Sequence, residues 1–444
     1  MFKFFDKLYD EVNLPADIRR SINFIFLGNL SATLGGVICG STTPAMVGLA
    51  NYLGATDIHF GIITAIAYGA NLCNLPFSIL VNKTQQRKKI MLTFGLGAKI
   101  LWIVLGLIPI IIPKDPEWLR IWTMLFVFGV LSCNVTSVNV CWYPWLADLT
   151  PPEIFSRFYT KREQLLSIIK LPFSLLVGIS LDMIPVDVRY PIVFTIGGFL
   201  TIMDMVCFGF AKEVYTEKPA NPKIKDVLSE IKANKDFVNI TTLWAIWSFA
   251  SNIADAYLVP YYTGMLGVSN FKIVLYMTIF SAIGGAFTLS HWGTAIKNYG
   301  IKNTMIVSLY ATSALSLLYL FVGPNSTWMI GAYGFLAAIV WNGANMAQSC
   351  AQIEYSPAST RASYIAVYGI IINLICGAGG FVSGLILDYC VGHNLFVGTF
   401  NRYRFVILIH VILRFAVCMM FIPKLRNDSN RTPLSLLKAA LHIV

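Results

Sequence analysis

The chain has 444 residues, of which 56% are hydrophobic and only 12% charged, with a formal net charge of +11. Soluble domains carry about 25% charged residues, so a chain this apolar, with a mean hydropathy of +0.67, cannot cover a water-facing surface and reads as membrane-embedded. Its nine cysteines are scattered, without a CxxC pair or Cys/His cluster, which argues against a disulfide framework and against a zinc site.

At the start of the chain, Met1–Arg20 interleaves Phe2, Phe4, Phe5 and Leu8 with Lys3, Asp6, Lys7 and Asp10. That pattern predicts an amphipathic segment at the membrane surface rather than a cleaved signal peptide. A bilayer core takes about 20 apolar residues per helix. Twelve spans are expected, at 21–52, 58–81, 90–113, 118–146, 160–182, 190–210, 238–265, 272–291, 304–322, 328–351, 362–388 and 403–422. With the N-terminus inside, the cytoplasmic segments collect Arg19, Arg20, Lys83, Arg87, Lys88, Lys89, Arg157, Lys161, Arg162, Lys297, Lys302 and Arg361. The outer loops hold few basic residues, among them Lys114, Arg189 and Lys272. This positive-inside asymmetry explains the excess charge by topology and argues against nucleic-acid binding. Residues 212–236, with Glu213, Glu217, Lys218, Pro219 and Pro222, read as a cytoplasmic central loop carrying a surface helix at 224–233. The expected organisation is an interfacial segment 1–20, a six-helix bundle 21–211, the loop 212–236, a second bundle 237–422 and a cytoplasmic tail 423–444.

The two bundles share one plan. Leu176-Val177-Gly178-Ile179-Ser180-Leu181-Asp182 returns as Val382-Ser383-Gly384-Leu385-Ile386-Leu387-Asp388, and Pro151 and Pro357 are separated by the same interval. Leu53-Gly54-Ala55-Thr56 is echoed by Leu266-Gly267-Val268-Ser269. Repeated membrane halves are how many secondary transporters place a solute site at mid-depth.

Twelve spans in two halves, a charged central loop and paired loop motifs resemble the major facilitator superfamily. Its loop motif G-x-x-x-D-R-x-G-R-K/R, placed on this chain, runs from Leu80 to Lys89 and keeps the basic tail Lys88-Lys89. Thr84 stands where the family has aspartate, and Arg87 where it has the second glycine. The second-half counterpart keeps Gly293 and Gly300 and ends in Lys302. Trp145-Leu146-Ala147-Asp148-Leu149-Thr150-Pro151 with Arg157 is similar to the loop between spans four and five in bacterial permeases. Glu354-Tyr355-Ser356-Pro357 with Arg361 is its echo. The resemblance implies an all-α fold of two pseudo-symmetric six-helix bundles and no enzymatic activity; it does not imply a substrate.

Ionisable groups at mid-membrane cost a few kcal/mol on insertion scales, so each needs a reason. Trp244, Ser248, Ser251 and Asp255 follow helical spacing in span seven, with Asn252 beside them. The stripe predicts a solute- or proton-binding carboxylate at Asp255; the structural alternative is a carboxylate paired to a basic side chain. Lys170, about 15 Å into span five at 1.5 Å per residue, can receive an anionic group or neutralise Asp255 or Glu163. Asn71, Asn134, Asn342, Asn345 and Asn373 sit at one depth and read collectively as a polar layer, although each alone fits an interhelical hydrogen bond. Ser41-Thr42-Thr43-Pro44 joins this layer through carbonyls that proline frees. Lys99 and Arg414, on spans the family places at the periphery, read as snorkelling or paired residues. His410 belongs to the Arg414 contact, and Asp204 reads as interfacial. Gly377, Gly379, Gly380 and Gly384 permit close helix approach.

These residues predict a secondary transporter that moves a small polar solute by alternating access, with an anion favoured by Lys170 and coupling to a proton or Na+. The expected setting is a bacterial inner membrane, as a monomer, with both termini cytoplasmic and no cofactor. No nucleotide-binding G-x-x-x-x-G-K-S/T loop is present. The rival reading is an exporter of lipophilic or cationic compounds, with Asp255 and the tryptophans holding the cation.

Overall fold

A computed structural model describes residues 5–213, 224–286, 288–357, 360–398, 400–426 and 429–443. Phe2, Lys3, Phe4 and residues 214–223 of the expected central loop lie outside the described residues. The described chain is helical, without strands. In order, the helices are α1 (Asp6–Glu11), α2 (Ala16–Ile38), α3 (Pro44–Tyr52), α4 (Asp57–Gly69), α5 (Asn74–Thr84), α6 (Arg87–Ile111), α7 (Glu117–Leu149), α8 (Pro152–Met183) and α9 (Val186–Phe210). They continue with α10 (Ile224–Ala233), α11 (Lys235–Asp255), α12 (Leu258–Pro260), α13 (Asn270–Val274), α14 (Phe280–Ala286), α15 (Leu289–Tyr299) and α16 (Ile301–Leu315). The last are α17 (Leu318–Phe321), α18 (Trp328–Glu354), α19 (Arg361–Gly392), α20 (Arg402–Phe421) and α21 (Pro433–Ile443).

Nine helices among the described residues are long and apolar enough to cross a membrane, ten if the bent pair Asn270–Ala286 and His291–Tyr299 is one span. The segments expected as the remaining two spans are helical, α11 and α18, of 21 and 27 residues, but are not among the helices apolar enough to count. Both are diluted by polar side chains: Thr241, Thr242, Ser248, Ser251, Asn252 and Asp255 on α11; Asn342, Asn345, Gln348 and Ser349 on α18. Such groups inside a membrane are tolerated where they find a partner or an aqueous face.

By contact density the chain divides into two compact units, Met1–Ala55 with Gly69–Pro219, and Thr56–Tyr68 with Ala220–Val444. In the first unit, α9 packs along α2 and α6, and α6 along α7. The first span is broken after Ile38, just before Pro44, as proline requires. Thr43 heals the break: its hydroxyl donates to Ile38 O at 2.8 Å and accepts from Met46 N at 3.3 Å. An aromatic cluster closes one end of this unit. Phe5 and Tyr9 of the N-terminal segment are wholly buried there, with the Phe5 ring 4.7 Å from Phe158 and 5.2 Å from Phe26. Tyr9 donates to Asn23 at 3.0 Å and Arg157 clasps Glu11 at 2.6 Å, so α1 is docked on the bundle.

In the second unit, α11 packs between α19 and α20, and α18 against α14 and α16. Backbone approaches there are close enough to demand glycine. A Cβ at Gly284 would lie 2.2 Å from the Phe335 carbonyl oxygen, and one at Gly379 would lie 2.4 Å from the Phe249 carbonyl oxygen. On its other side, α19 receives α4: added carbons at Gly380 and Gly384 would lie 2.7 Å from Thr64 Cγ2 and 3.2 Å from Ile58 Cα. The glycine stripe of span eleven is therefore a packing surface, used by α11 on one side and α4 on the other.

Candidate functional site

The polar stripe of α11 faces inward in the second unit. Ser251 and Asn252 are both 6% exposed. The Asn252 amide donates to Cys376 O on α19 at 2.7 Å, in the manner of a transmembrane asparagine bridging helices. Asp255 ends the helix. Its neighbours Ala254 and Ala256 are buried, yet Asp255 itself is exposed. Protein surrounds it at longer range while its own surface stays open, the combination of a side chain on a concave wall. Arg414 lies within electrostatic reach, as do Tyr68, Tyr262 and Tyr319. No hydrogen bond engages its carboxylate among the described residues.

Trp244 is buried with its indole N–H unpartnered, in an edge-to-face pair with Trp247 at 5.3 Å. Asn342 donates to Gly285 O at 2.9 Å and Thr288 Oγ1 at 3.2 Å, tying α18 to the end of α14. Asn345, one turn on, is exposed. Asn373 turns back onto its own helix, donating to Gly369 O at 2.7 Å.

In the first unit Asn134 does the same with Val130 O at 3.0 Å. Asn71 accepts from Asn74 at 3.4 Å in the 3-10 turn between α4 and α5. Lys170 is exposed on α8 without a protein partner among the described residues. Glu163, expected as its neutraliser, is paired with Arg162 instead. Asp204 departs from its interfacial reading: it is 3% exposed, and the missing side chain of Gly28 makes room for it, since a Cβ there would lie 2.9 Å from Oδ1. Lys99 and Arg162 act on it from longer range.

The loop motifs form their own contacts. Arg87, standing where the family has glycine, reaches Asp148 at 2.8 Å and lies 5.9 Å over the Trp145 ring. The aspartate lost at Thr84 is thus answered from the span four–five motif. Lys88 is held on Glu213 Oε1 and Ala211 O, both at 2.8 Å, whereas Lys89 is exposed. Gly300 separates α15 from α16 with φ +85°, a conformation glycine adopts freely, and Lys302 caps Leu425 O at 2.8 Å. Gly293 is exposed on α15 with Met346 Sδ at 3.8 Å from an added carbon, and Arg361 has its Nε buried without a partner.

One cluster was not anticipated from sequence. Asp57, which opens α4, is 7% exposed and accepts from Arg402 Nε at 2.9 Å and from the Tyr403 hydroxyl at 2.6 Å. An acidic residue in a helix's first turn is common for dipole reasons alone, so nothing local singles it out.

Nine helices among the described residues, or ten with the bent pair, long and apolar enough to cross a bilayer make this an integral, multi-pass membrane protein. Residues 25–380 match the Major Facilitator Superfamily, and the chain belongs to that family. No curated protein sequence is significantly similar to it. Solved structures share the fold at low identity. A mutant form of the nucleoside transporter NupG superposes with a TM-score of 0.72 at 15% identity, covering 92% of this chain and 100% of that one. A D-xylose-proton symporter gives 0.67 at 12% identity, covering 94% and 100%. A POT family peptide transporter gives 0.63 at 10% identity, covering 94% and 99%. These structures share the fold; the chain's class, a transporter, follows from its membership of the family.

Proposed function

We propose that this transporter takes up a small polar solute by alternating access, with Asp255 as the coupling carboxylate and a proton as the coupling ion. The observation that carries this reading is the open, unbonded carboxylate of Asp255 at the end of a helix whose flanking residues are buried. A carboxylate held in such a place exchanges a proton or a solute cation without first breaking a protein contact. Asn345, exposed on α18, is a free amide that a solute can engage, and Lys170 favours a solute with negative charge. Asn252 and Asn342 hold neighbouring helices of the second unit together. Among proteins of the same fold, one is a D-xylose-proton symporter. The setting is a bacterial inner membrane, with the basic loops and both termini in the cytoplasm and the monomer as transporting unit.

Ligand-dependent thermal stabilisation of the purified protein tests the solute class. A ligand at a hundredfold excess over its Kd contributes about 2.7 kcal/mol. Stabilisation by an anionic or polar metabolite, lost in Lys170→Ala, supports the proposal; stabilisation by lipophilic cations alone replaces it with an exporter. In proteoliposomes, Asp255→Asn should abolish uptake driven by a pH gradient and spare solute exchange. A mutant that still concentrates solute on the gradient removes Asp255 from coupling.

A further inference from the structure

Arg414 on α20 is 1% exposed. It neither snorkels to an interface nor meets a carboxylate. Its guanidinium carbon lies over the Trp247 ring, 4.2 Å from the centroid, with the Trp341 centroid at 5.8 Å. Nη1 donates to Ser316 Oγ at 2.6 Å and to His410 Nε2 at 3.1 Å. His410 Nδ1 sits 2.8 Å and 3.0 Å from the carbonyl oxygens of Ala250 and Ser251, so the ring proton belongs on Nδ1 and Nε2 is the acceptor. His410 is therefore neutral and does not offset the arginine charge. Nε and Nη2, the two nitrogens of the side-on fork, are buried and have no hydrogen-bond partner among the described residues.

A fixed charge with an unanswered fork deep in a membrane protein calls for a counter-charge, because a buried unpaired ion is strongly destabilising. Asp255 acts on Arg414 from longer range without a hydrogen bond. The side-on fork matches two carboxylate oxygens or one halide. Water satisfies donors but leaves the charge. We propose that the Nε–Nη2 edge of Arg414 holds a small monovalent anion, a halide or a carboxylate of formate size, as a resident component of the second unit. Trp247 forms one wall of the site. Trp341, only half-buried, is the wall an entering ion displaces. The proposal does not depend on the identity of the transported solute.

The test is thermal unfolding of the purified full-length protein in detergent at constant potassium and ionic strength, with chloride or formate replacing gluconate, which is too large for the fork. The wild type should gain stability with anion concentration and saturate. Arg414→Lys keeps the charge but loses the fork, and its half-saturation should rise at least about tenfold. A tighter response to formate than to chloride identifies a carboxylate site, and the reverse a halide site. Equal stability in all three salts, or an unchanged half-saturation in Arg414→Lys, overturns the proposal. Should Arg414→Lys not fold, wild-type crystals grown in bromide decide: an anomalous peak on the Nε–Nη2 edge supports the site. Peaks confined to the surface, an adventitious ion only, overturn it.

Discussion

Asp57→Asn is the substitution whose cost the structure defines best. The carboxylate accepts two charge-assisted hydrogen bonds, 2.9 Å from Arg402 Nε and 2.6 Å from the Tyr403 hydroxyl. Hydrogen bonds to charged groups contribute roughly 1.5–3 kcal/mol net, neutral ones about 1. Asparagine keeps the shape and one acceptor oxygen, so one bond survives in weaker form while the other faces an amide N–H. Arg402 is 33% exposed and recovers water when released, which reduces the loss. The expected destabilisation is about 2 kcal/mol, of which roughly half should appear as coupling to Arg402 in a double-mutant cycle with Arg402→Gln. Reversible unfolding in mixed micelles measures all four corners of the cycle. A coupling indistinguishable from zero would show that the contact adds nothing to stability, and the reasoning would fall with it.

Two further outcomes follow from close packing and from the loop motif. Gly284→Ala should lower stability by about 1–3 kcal/mol, since the new methyl meets a backbone carbonyl that cannot move aside. Gly36→Ala, with nothing within 4 Å of the new carbon, should be neutral or mildly stabilising by the same unfolding assay. Asp148→Asn leaves the Arg87 side chain, only 5% exposed, without its carboxylate. It should cost about 2–3 kcal/mol, and restoring aspartate at the family's position with Thr84→Asp should not recover it, because Thr84 is exposed at the end of α5.

Hydropathy made the helical, membrane-spanning character of the chain legible, because length and apolarity are local properties. The polar stripe of α11 was legible too, as a periodicity. What each polar group does was not. Asn252 and Asn342 reach neighbouring helices while Asn134 and Asn373 fold back on their own, and the choice depends on which backbone carbonyl tertiary packing brings near. Asp204 read as interfacial because its sequence position lies near a helix end; the absent side chain of Gly28 is what gives it a buried place. The partners of Asp57 are separated from it by 345 and 346 positions, and no periodic signal spans such a distance.

That last contact bears on how the second unit is put together. Residues 56–68 are encoded in the first half, yet they fold as part of the second unit. They supply it with a carboxylate for Arg402 and fill the glycine-lined groove of α19. The second unit is therefore drawn from two separate stretches of the chain. A second half made alone would present an open groove and an arginine without its acid, and a first half alone would display a helix with nowhere to lie. Made without residues 56–68, the second unit should unfold at lower temperature than with them, because it would lack the acid for Arg402 and the helix that fills the α19 groove.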